Sequence, residues 1–273
     1  MNIISIIIVN YNGGNYIKQC LISIYKFVEV EFEVIVVDNN SIDNSSFEIE
    51  KLLIEKNNFK LIALNENLGF AKANNIGAAA STGNIIHFLN PDTLLNSKQN
   101  FAYQIALTEK DENVIYVDSL TDINGIITPS KQVVPLFNNL IRYLVRKKKV
   151  YYWYTGASLI MHKAKFFAIG GWPEDYFMYA EDLDLFYRCQ IYGATIVEVD
   201  TKIVHIGQAS SQTTWSNLDR IIRTEKSLKK FILKYSNYFY YFLSRSILLL
   251  YQIINEPKKT ILLFKIYFRA IRL

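Results

Sequence analysis

Four short apolar runs, rich in β-branched residues and each closed by a polar residue, constrain this chain more than any other feature. They read as strands over 3–9, 33–38, 60–65 and 84–90, ending at Asn10, Asp38, Asn65 and Asn90. Helical spacing fills the intervals: Ile17, Leu21, Ile24 and Tyr25, then a helix near 47–57, then a small-residue helix over 70–81. Strands that are apolar along their whole length suit a sheet covered on both faces, and their alternation with helices predicts βαβ units. The expected fold is therefore α/β, with a mostly parallel, Rossmann-like central sheet and helices on both faces. In such sheets ligands bind outside the carboxyl ends of the strands. Those ends carry Asn10, Asp38, Asn65 and Asn90/Asp92, the polar groups a nucleotide site needs.

After residue 110 the elements shorten. Strands are expected over 113–118 and 153–161, with a hairpin around Asp122–Gly125 between them. A helix over 181–192, a strand over 194–199 and a polar loop over 200–214 follow. From Trp215 onward the pattern is helical, which divides the chain into an α/β domain over 1–214 and a helical extension over 215–273. With 273 residues, 51% of them hydrophobic, the chain has ample material for a core, and disorder is excluded for most of its length. Two cysteines, Cys20 and Cys189, provide no disulfide framework, and no CxxC pair suggests zinc. The N-terminus lacks the basic region and small-residue cleavage site of a signal peptide.

Several clusters carry chemistry. Asn90-Pro91-Asp92 directly follows a strand, where a carboxylate can hold a hard divalent cation. The same residues suit a turn, with Asp92 capping a helix over 96–109, and the two readings are compatible. Glu181-Asp182-Leu183-Asp184 places three carboxylates in the first turn of a helix. Capping would explain one of them. Crowded like charges raise one another's pKa, and Asp182, pointing about 100° away from Glu181, is a candidate general base. Glu181, Asp184 and Arg188 share one face. His205, near Gly207, Ser210 and Ser211, suits a phosphate or metal contact as well as a structural role, whereas His87 and His162 read as structural. Gly69 opens the third helix, where N–H groups can meet a phosphate or the helix can simply pack closely. Gly156 lies in a turn. Trp172 either stacks on a sugar or packs in the core.

Together these pieces resemble family 2 glycosyltransferases of the GT-A fold, and within them the bacterial rhamnosyltransferase-like subgroup. The matching segments are Ile8–Asn12, Val36–Ser41, Asn65–Phe70, Ala73–Gly77, Phe88–Thr93, Thr155–Ala157, Gly170–Trp172, Phe177–Asp184 and His205–Gly207. The resemblance implies an inverting transfer of a sugar, rhamnose from dTDP-rhamnose foremost, onto a glycan or polyprenyl-diphosphate-linked acceptor in surface polysaccharide synthesis. A UDP-linked galactosyl or N-acetylhexosaminyl donor is the alternative. It implies that Asp38 and Asn10 hold the pyrimidine base. Asn12, Asn67, Gly69, Asn74, Asn90, Asp92, Gly156 and Trp172 would line the rest of the nucleotide-sugar site. Asn90-Pro91-Asp92 stands where the family has its DxD motif, with Asn in first place. Asp92 and His205 would bind Mg²⁺ or Mn²⁺. Asp182 matches the catalytic base, with Glu181 as the fallback.

Charge divides as the fold does. Residues 219–273 carry 12 Lys/Arg against three acids, whereas residues 1–218 carry 18 against 22. The basic tail, over 236–273, alternates with aromatics and aliphatics but is interrupted by Arg245. That pattern fits a helix lying in the inner face of the cytoplasmic membrane. Packing on the domain, homo-oligomerisation and membrane spanning are the other readings. The basic run Arg146–Lys149 reads as a solvated loop or helix end, with a phosphate or lipid contact as the alternative. A cytoplasmic enzyme peripherally bound to the membrane is the expectation, with a non-catalytic scaffold of a polysaccharide assembly complex as the reading from another class. Basic residues interleaved with aliphatic runs, on an otherwise acidic chain, speak against nucleic acid.

Overall fold

The computed structural model describes residues 3–96, 98–108, 111–147, 149–207 and 216–255. The first half is built from β1 (Ile4–Asn10), α1 (Gly14–Phe27), β2 (Phe32–Asp38), α2 (Ser45–Leu53), β3 (Phe59–Ala63), α3 (Phe70–Ala80) and β4 (Ile85–Leu89). β1 pairs in parallel with β2 on one side and β4 on the other, and β2 pairs in parallel with β3. The chain thus runs outward through β2 and β3, then returns to lay β4 against the opposite edge of β1. The carboxyl ends of β1, β2 and β4 flank this topological switch point, where open sheets leave a crevice.

The second half mixes directions. β5 (Thr93–Leu94), α4 (Gln99–Thr108) and β6 (Val114–Thr121) are followed by β7 (Gln132–Val133), α5 (Phe137–Leu144), β8 (Tyr152–Trp153) and β9 (Ser158–His162). Then come α6 (Lys163–Ala168), α7 (Glu181–Ile191), β10 (Thr195–His205), α8 (Asn217–Tyr235) and α9 (Tyr238–Asn255). The main sheet runs β3-β2-β1-β4-β9-β6-β10-β5, and β7 and β8 form a separate pair. β9 is antiparallel to both β4 and β6, and β5 is antiparallel to β10.

Strand alternation distributes the core. Ile4, Ile6 and Ile8 face α1, α2 and α4, packing with Ile17, Leu21, Ile49 and Tyr103. Ile7, Ile86 and Phe88 face the other way, onto Ala71 and Ala78 of α3, Phe166 of α6 and Phe186 of α7. The small residues of α3 have a steric cause: a Cβ on Gly77 would stand 2.5 Å from the Ile7 side chain. The expected α/β sheet with helices on both faces is the observed one.

Two expected elements differ. The single strand over 153–161 is two strands, β8 and β9, in different sheets, because Thr155-Gly156-Ala157 breaks the run. The strand over 194–199 continues to His205, through residues read as loop. Its register with β6 shifts between Val199 and Lys202, and beyond that bulge Thr201 and Ile203 are buried while Lys202 is exposed. Asp92 does not cap α4, because β5 intervenes.

The helical extension packs on the α/β body. Phe231 and Ile232 of α8 and Tyr241 of α9 share a third core with Val134, Leu136, Tyr176 and Leu183. Arg245, the residue that interrupts the apolar tail, is buried and paired with Glu225 at 2.5 Å. No helix among the described residues is long and apolar enough to cross a membrane. Residues 256–273, with Lys258, Lys259, Lys265, Arg269 and Arg272, lie outside the described residues, as do Ser210 and Ser211.

Candidate active site

The ends of β1 and β2 are locked in register, Asn10 opposite Asp38. Asn10 is fully buried and its Nδ2 donates to Asp38 Oδ1 at 2.7 Å, Ser45 Oγ at 2.8 Å and Ser41 Oγ at 3.1 Å. Asp38 Oδ1 also accepts from Ser41 Oγ, and Oδ2 accepts only from Ser41 N at 3.1 Å among the described contacts. A carboxylate oxygen takes two hydrogen bonds, so Oδ2 keeps capacity for one more donor. Asn12, with φ +50, folds the β1–α1 loop over this pair, and its Oδ1 accepts from Ile42 N at 2.8 Å. A Cβ on Gly13 would collide with Asn10 Oδ1, so that turn must be glycine.

Asn67 continues the lattice toward the third strand. Its Oδ1 accepts from Asn39 Nδ2 at 2.9 Å and from Gly69 N at 3.0 Å. Gly69, at φ +84, sits so close to the 173–180 loop that a Cβ would approach the Phe177 carbonyl to 2.6 Å. The Asn39–Asn67 lattice and the loop leading to α7 are therefore adjacent through Gly69.

Asp92 and His205 are 113 residues apart, before β5 and at the end of β10, yet these strands pair antiparallel with His205 opposite Thr93. Asp92 Oδ1 lies 3.4 Å from His205 Nε2. The Asn90 side-chain carbonyl oxygen is buried and has no hydrogen-bond partner in the structure. A carboxylate beside an imidazole and, two residues earlier in the chain, an orphaned carbonyl oxygen are donor types that suit a divalent cation, which can fill its remaining positions with phosphate and water. No group of three His, Cys, Asp or Glu side chains able to hold a metal occurs among the described residues.

The first turn of α7 is aimed by strained backbone. Tyr179 and Ala180 both have positive φ, +69 and +67, which costs of order 1–3 kcal/mol per residue and marks a turn held by its surroundings. Asp182 Oδ1 accepts from Leu183 N at 2.8 Å, and Oδ2 lies 3.4 Å from Gly156 N. A Cβ on Gly156 would crowd both Asp182 Cβ, at 3.3 Å, and the Trp172 ring. Burial raises the Asp182 carboxyl to about 6, only partly opposed by those N–H donors. Glu181 is raised to about 8, first by burial and then by the charge of Asp182, and its Oε2 is buried without a partner. The pair thus titrates together, both carboxyls pushed up toward neutral pH and Glu181 the further.

Asp184 does something the sequence did not disclose. Fully buried, it accepts from Tyr176 OH at 2.9 Å, Tyr235 OH at 2.8 Å, Arg188 Nε at 2.9 Å and Lys234 Nζ at 3.0 Å. Two of these donors come from α8, so Asp184 fastens the C-terminal helices to the turn bearing Asp182. Arg188 in turn donates to the carbonyls of Ile169 and Gly171. Glu181, expected on the same face, takes no part in this hub.

Two expected donor contacts are corrected. Trp172 is 1% exposed and packs edge-on against Phe70 and Phe88, so it offers no face to a sugar. Asn74 is buried and donates to the Phe70 carbonyl one turn back. Its neighbour Asn75, which the sequence reading passed over, bridges α3 to the Trp172 backbone in both directions and to Glu174. Beneath the sheet, His87 is buried between Tyr103 OH and Ser158 Oγ, and burial lowers it to about 3, a neutral, structural imidazole.

Comparison with known proteins follows this geometry. Residues 5–165, more than half of the chain, match the profile of the family described as glycosyl transferase family 2. The poly(ribitol-phosphate) beta-N-acetylglucosaminyltransferase TarS of Staphylococcus aureus is 30% identical over 156 residues, covering 54% of this chain and 27% of that protein. The glycosyltransferase GlyG of Streptococcus pneumoniae is 26% identical over 113 residues, covering 41% of this chain and 38% of that one. The chain thus spans under two fifths of the length of these two curated relatives. The crystal structure of S. aureus TarS 1-349 in complex with UDP-GlcNAc superposes with a TM-score of 0.60 at 20% identity, over 84% of this chain and 65% of that one. The shared architecture is the GT-A fold.

Proposed function

The chain belongs to glycosyl transferase family 2, and from that premise we propose that it transfers a sugar from a pyrimidine nucleotide-sugar to an acceptor hydroxyl with inversion. The observation that carries this reading is the Asp182–Glu181 pair: two adjacent carboxyls, both raised by burial, at the head of α7 on a turn with positive φ at Tyr179 and Ala180. Asp38 Oδ2, with its spare acceptor capacity, takes an N–H of the base, and Asn10 holds Asp38 in place. Gly69 and the adjoining N–H groups of α3 face the diphosphate side.

Asp182 accepts the proton of the acceptor hydroxyl as that oxygen bonds to the anomeric carbon. The bond from that carbon to the diphosphate oxygen breaks, and its electron pair leaves with the nucleoside diphosphate. Glu181, when protonated, keeps the pocket from holding two adjacent charges. Its own proton supplies a hydrogen bond to substrate oxygen. Asp92, His205 and Asn90 would hold a divalent cation, Mg²⁺ or Mn²⁺, which when bound supplies positive charge against the leaving diphosphate. No glycosyl–enzyme intermediate is required.

For the donor, the relatives favour a UDP-linked N-acetylhexosamine, since TarS is named a β-N-acetylglucosaminyltransferase and its structure holds UDP-GlcNAc. dTDP-rhamnose, the donor implied by the subgroup resemblance, is the second arm of the test. The acceptor is a glycan or a lipid-linked glycan of a surface polymer, reached at a membrane through residues 236–273. Residues 1–214 form the catalytic domain and 215–273 the extension fastened to it.

Thermal-shift screening of UDP- and dTDP-sugars, followed by turnover of the stabilising donor, tests this. Stabilisation and transfer with UDP-GlcNAc or UDP-GalNAc supports the first donor, and the same with dTDP-rhamnose supports the second. Stabilisation without turnover on any acceptor would instead favour the non-catalytic scaffold.

A further inference from the structure

Helix α5 is built inside out. Phe137, Leu140, Ile141 and Leu144 recur at helical spacing along one stripe, which in a core helix would face inward. Yet the one side chain α5 buries is Asn139, which donates to the carbonyls of Val134 and Tyr151 and accepts from Tyr151 N. Ile141, Leu144 and Val145 are exposed, Leu144 at 62%. Phe137 stacks on Tyr240 of α9 at 5.4 Å, setting the two helices side by side. On α9 the large apolar side chains Tyr238, Phe239 and Phe242 are exposed, Phe239 at 68%. Two neighbouring helices therefore present apolar and aromatic side chains to solvent together.

The charge around that stripe has one sign. Residues 131–155 contain six Lys/Arg and no Asp or Glu, and Arg142, Arg146, Lys147 and Lys149 are exposed at or just after α5. We propose that the outer face of α5, its basic C-terminal loop and the start of α9 form a docking surface for an anionic lipid bilayer. Exposed aromatics and aliphatics enter the headgroup boundary while the flanking cations meet lipid phosphates. Charge decides against the other occupants. Residues 256–273 carry five Lys/Arg against one Glu, so the chain's own tail would be repelled. A second copy meeting this face by two-fold symmetry would set the same cations against each other.

The surface is coupled to the site. Arg142 of α5 and Tyr240 of α9 line a cleft of about 260 Å³ whose far wall includes Tyr187 of α7. The lipid-facing helices and the helix bearing Asp182 are thus one packed unit. This inference rests on the membrane-side acceptor proposed above and deepens it, by moving the principal contact from residues 236–273 alone to α5.

The test is flotation of the full chain with phosphatidylcholine vesicles, with and without phosphatidylglycerol. Donor binding is measured by calorimetry on the same preparations. The wild type is expected to float with the anionic vesicles and to be released by salt. Leu144→Ser with Val145→Ser, and separately Arg146→Glu with Lys147→Glu, should each lower the vesicle-bound fraction by about tenfold. Ile54→Ser, an exposed apolar residue on α2's side, should not. Three results would overturn the proposal: no flotation of the wild type; α5 variants that float normally while Lys258→Glu with Lys259→Glu sinks; or a dimer that Leu144→Ser dissolves without any vesicle binding. Failure of donor binding with flotation intact would instead strike the proposed transferase reading.

Discussion

The strand-end lattice around Asp38 and the first turn of α7 use the same side-chain chemistry to opposite effect. At the strand ends, Asn10 Nδ2, Asp38, Ser41 and Ser45 bond one another within 3.1 Å, only the Asn10 Oδ1 atom among them being buried without a partner, and the backbone turns around them are fixed by Asn12 and Gly13. On α7, Asp182 has two backbone donors, one of them at 3.4 Å, and a buried Glu181 oxygen has none. On the proposed reading the first region is prebuilt to bind. In the second, burial lifts the carboxyls toward neutrality and few donors oppose it, so that a proton can move there. Asp184, two residues beyond Asp182 on the same turn, shows the contrast over one turn of helix: with four donors it is purely an anchor.

The sharpest break between the regions is Asp182→Asn. Turnover should fall by about 10³-fold or more, because a general base is lost while the binding lattice is intact. Asp184→Ala should act on the fold instead. Removing one side of a buried ion pair costs about 3–5 kcal/mol, so chemical denaturation should show a large loss of stability and proteolysis should release α8 and α9 first. Asp38→Ala is expected to weaken donor binding by roughly tenfold or more by calorimetry with little change in kcat, since only the base contact and its lattice are lost. Asp92→Ala should weaken donor binding in the presence of Mg²⁺ or Mn²⁺ and leave metal-free binding unchanged. Equal affinity for wild type and variant under both conditions would remove Asp92 from the metal site.

The smallest effects are in pH. As the proposed base Asp182 would act ionised, so the rate should fall as pH drops through about 6. Burial is the leading cause of that rise, and Glu181→Gln should therefore leave the limb in place. Both carboxyls bind their protons more tightly folded than unfolded. Their contribution to stability is full below the unfolded carboxyl range and is lost as pH climbs through about 6 and about 8. Glu181→Gln should accordingly gain in melting temperature over the wild type as pH rises from the ordinary carboxyl range to about 8 and level off above it, a difference read by calorimetry.

The β1–β4 half was legible because its signal is local. β1, β2 and β4 are apolar nearly throughout and each ends at or beside a residue that lies at the crevice, whereas the edge strand β3 is only half-buried, with Lys60 and Ala63 exposed. The second half was not, because its decisive partners are remote. β10 extends through Asp200 to His205 only because a bulge restores alternation and because Thr201 finds the buried Asp118 on the neighbouring strand. The role of Asp184 depends on Lys234 and Tyr235, some fifty residues away, and Glu181-Asp182-Leu183-Asp184 alone gives no hint which acid they will choose. Trp172 had two physically sound fates, and the surrounding Phe70, Phe88 and Phe166 decided for the core. The polar interior contact of α5 was hidden for the same reason: Asn139 is buried only because the Val134 and Tyr151 carbonyls require donors.

The central claim is that one region binds and the other reacts. It is tested most directly by Asp182→Asn, with nucleotide-sugar affinity measured by calorimetry and transfer measured on the same sample. The account predicts affinity within about twofold of the wild type and turnover lower by about 10³-fold or more. Turnover within tenfold of the wild type, or a loss of affinity that matches the loss of rate, would contradict it.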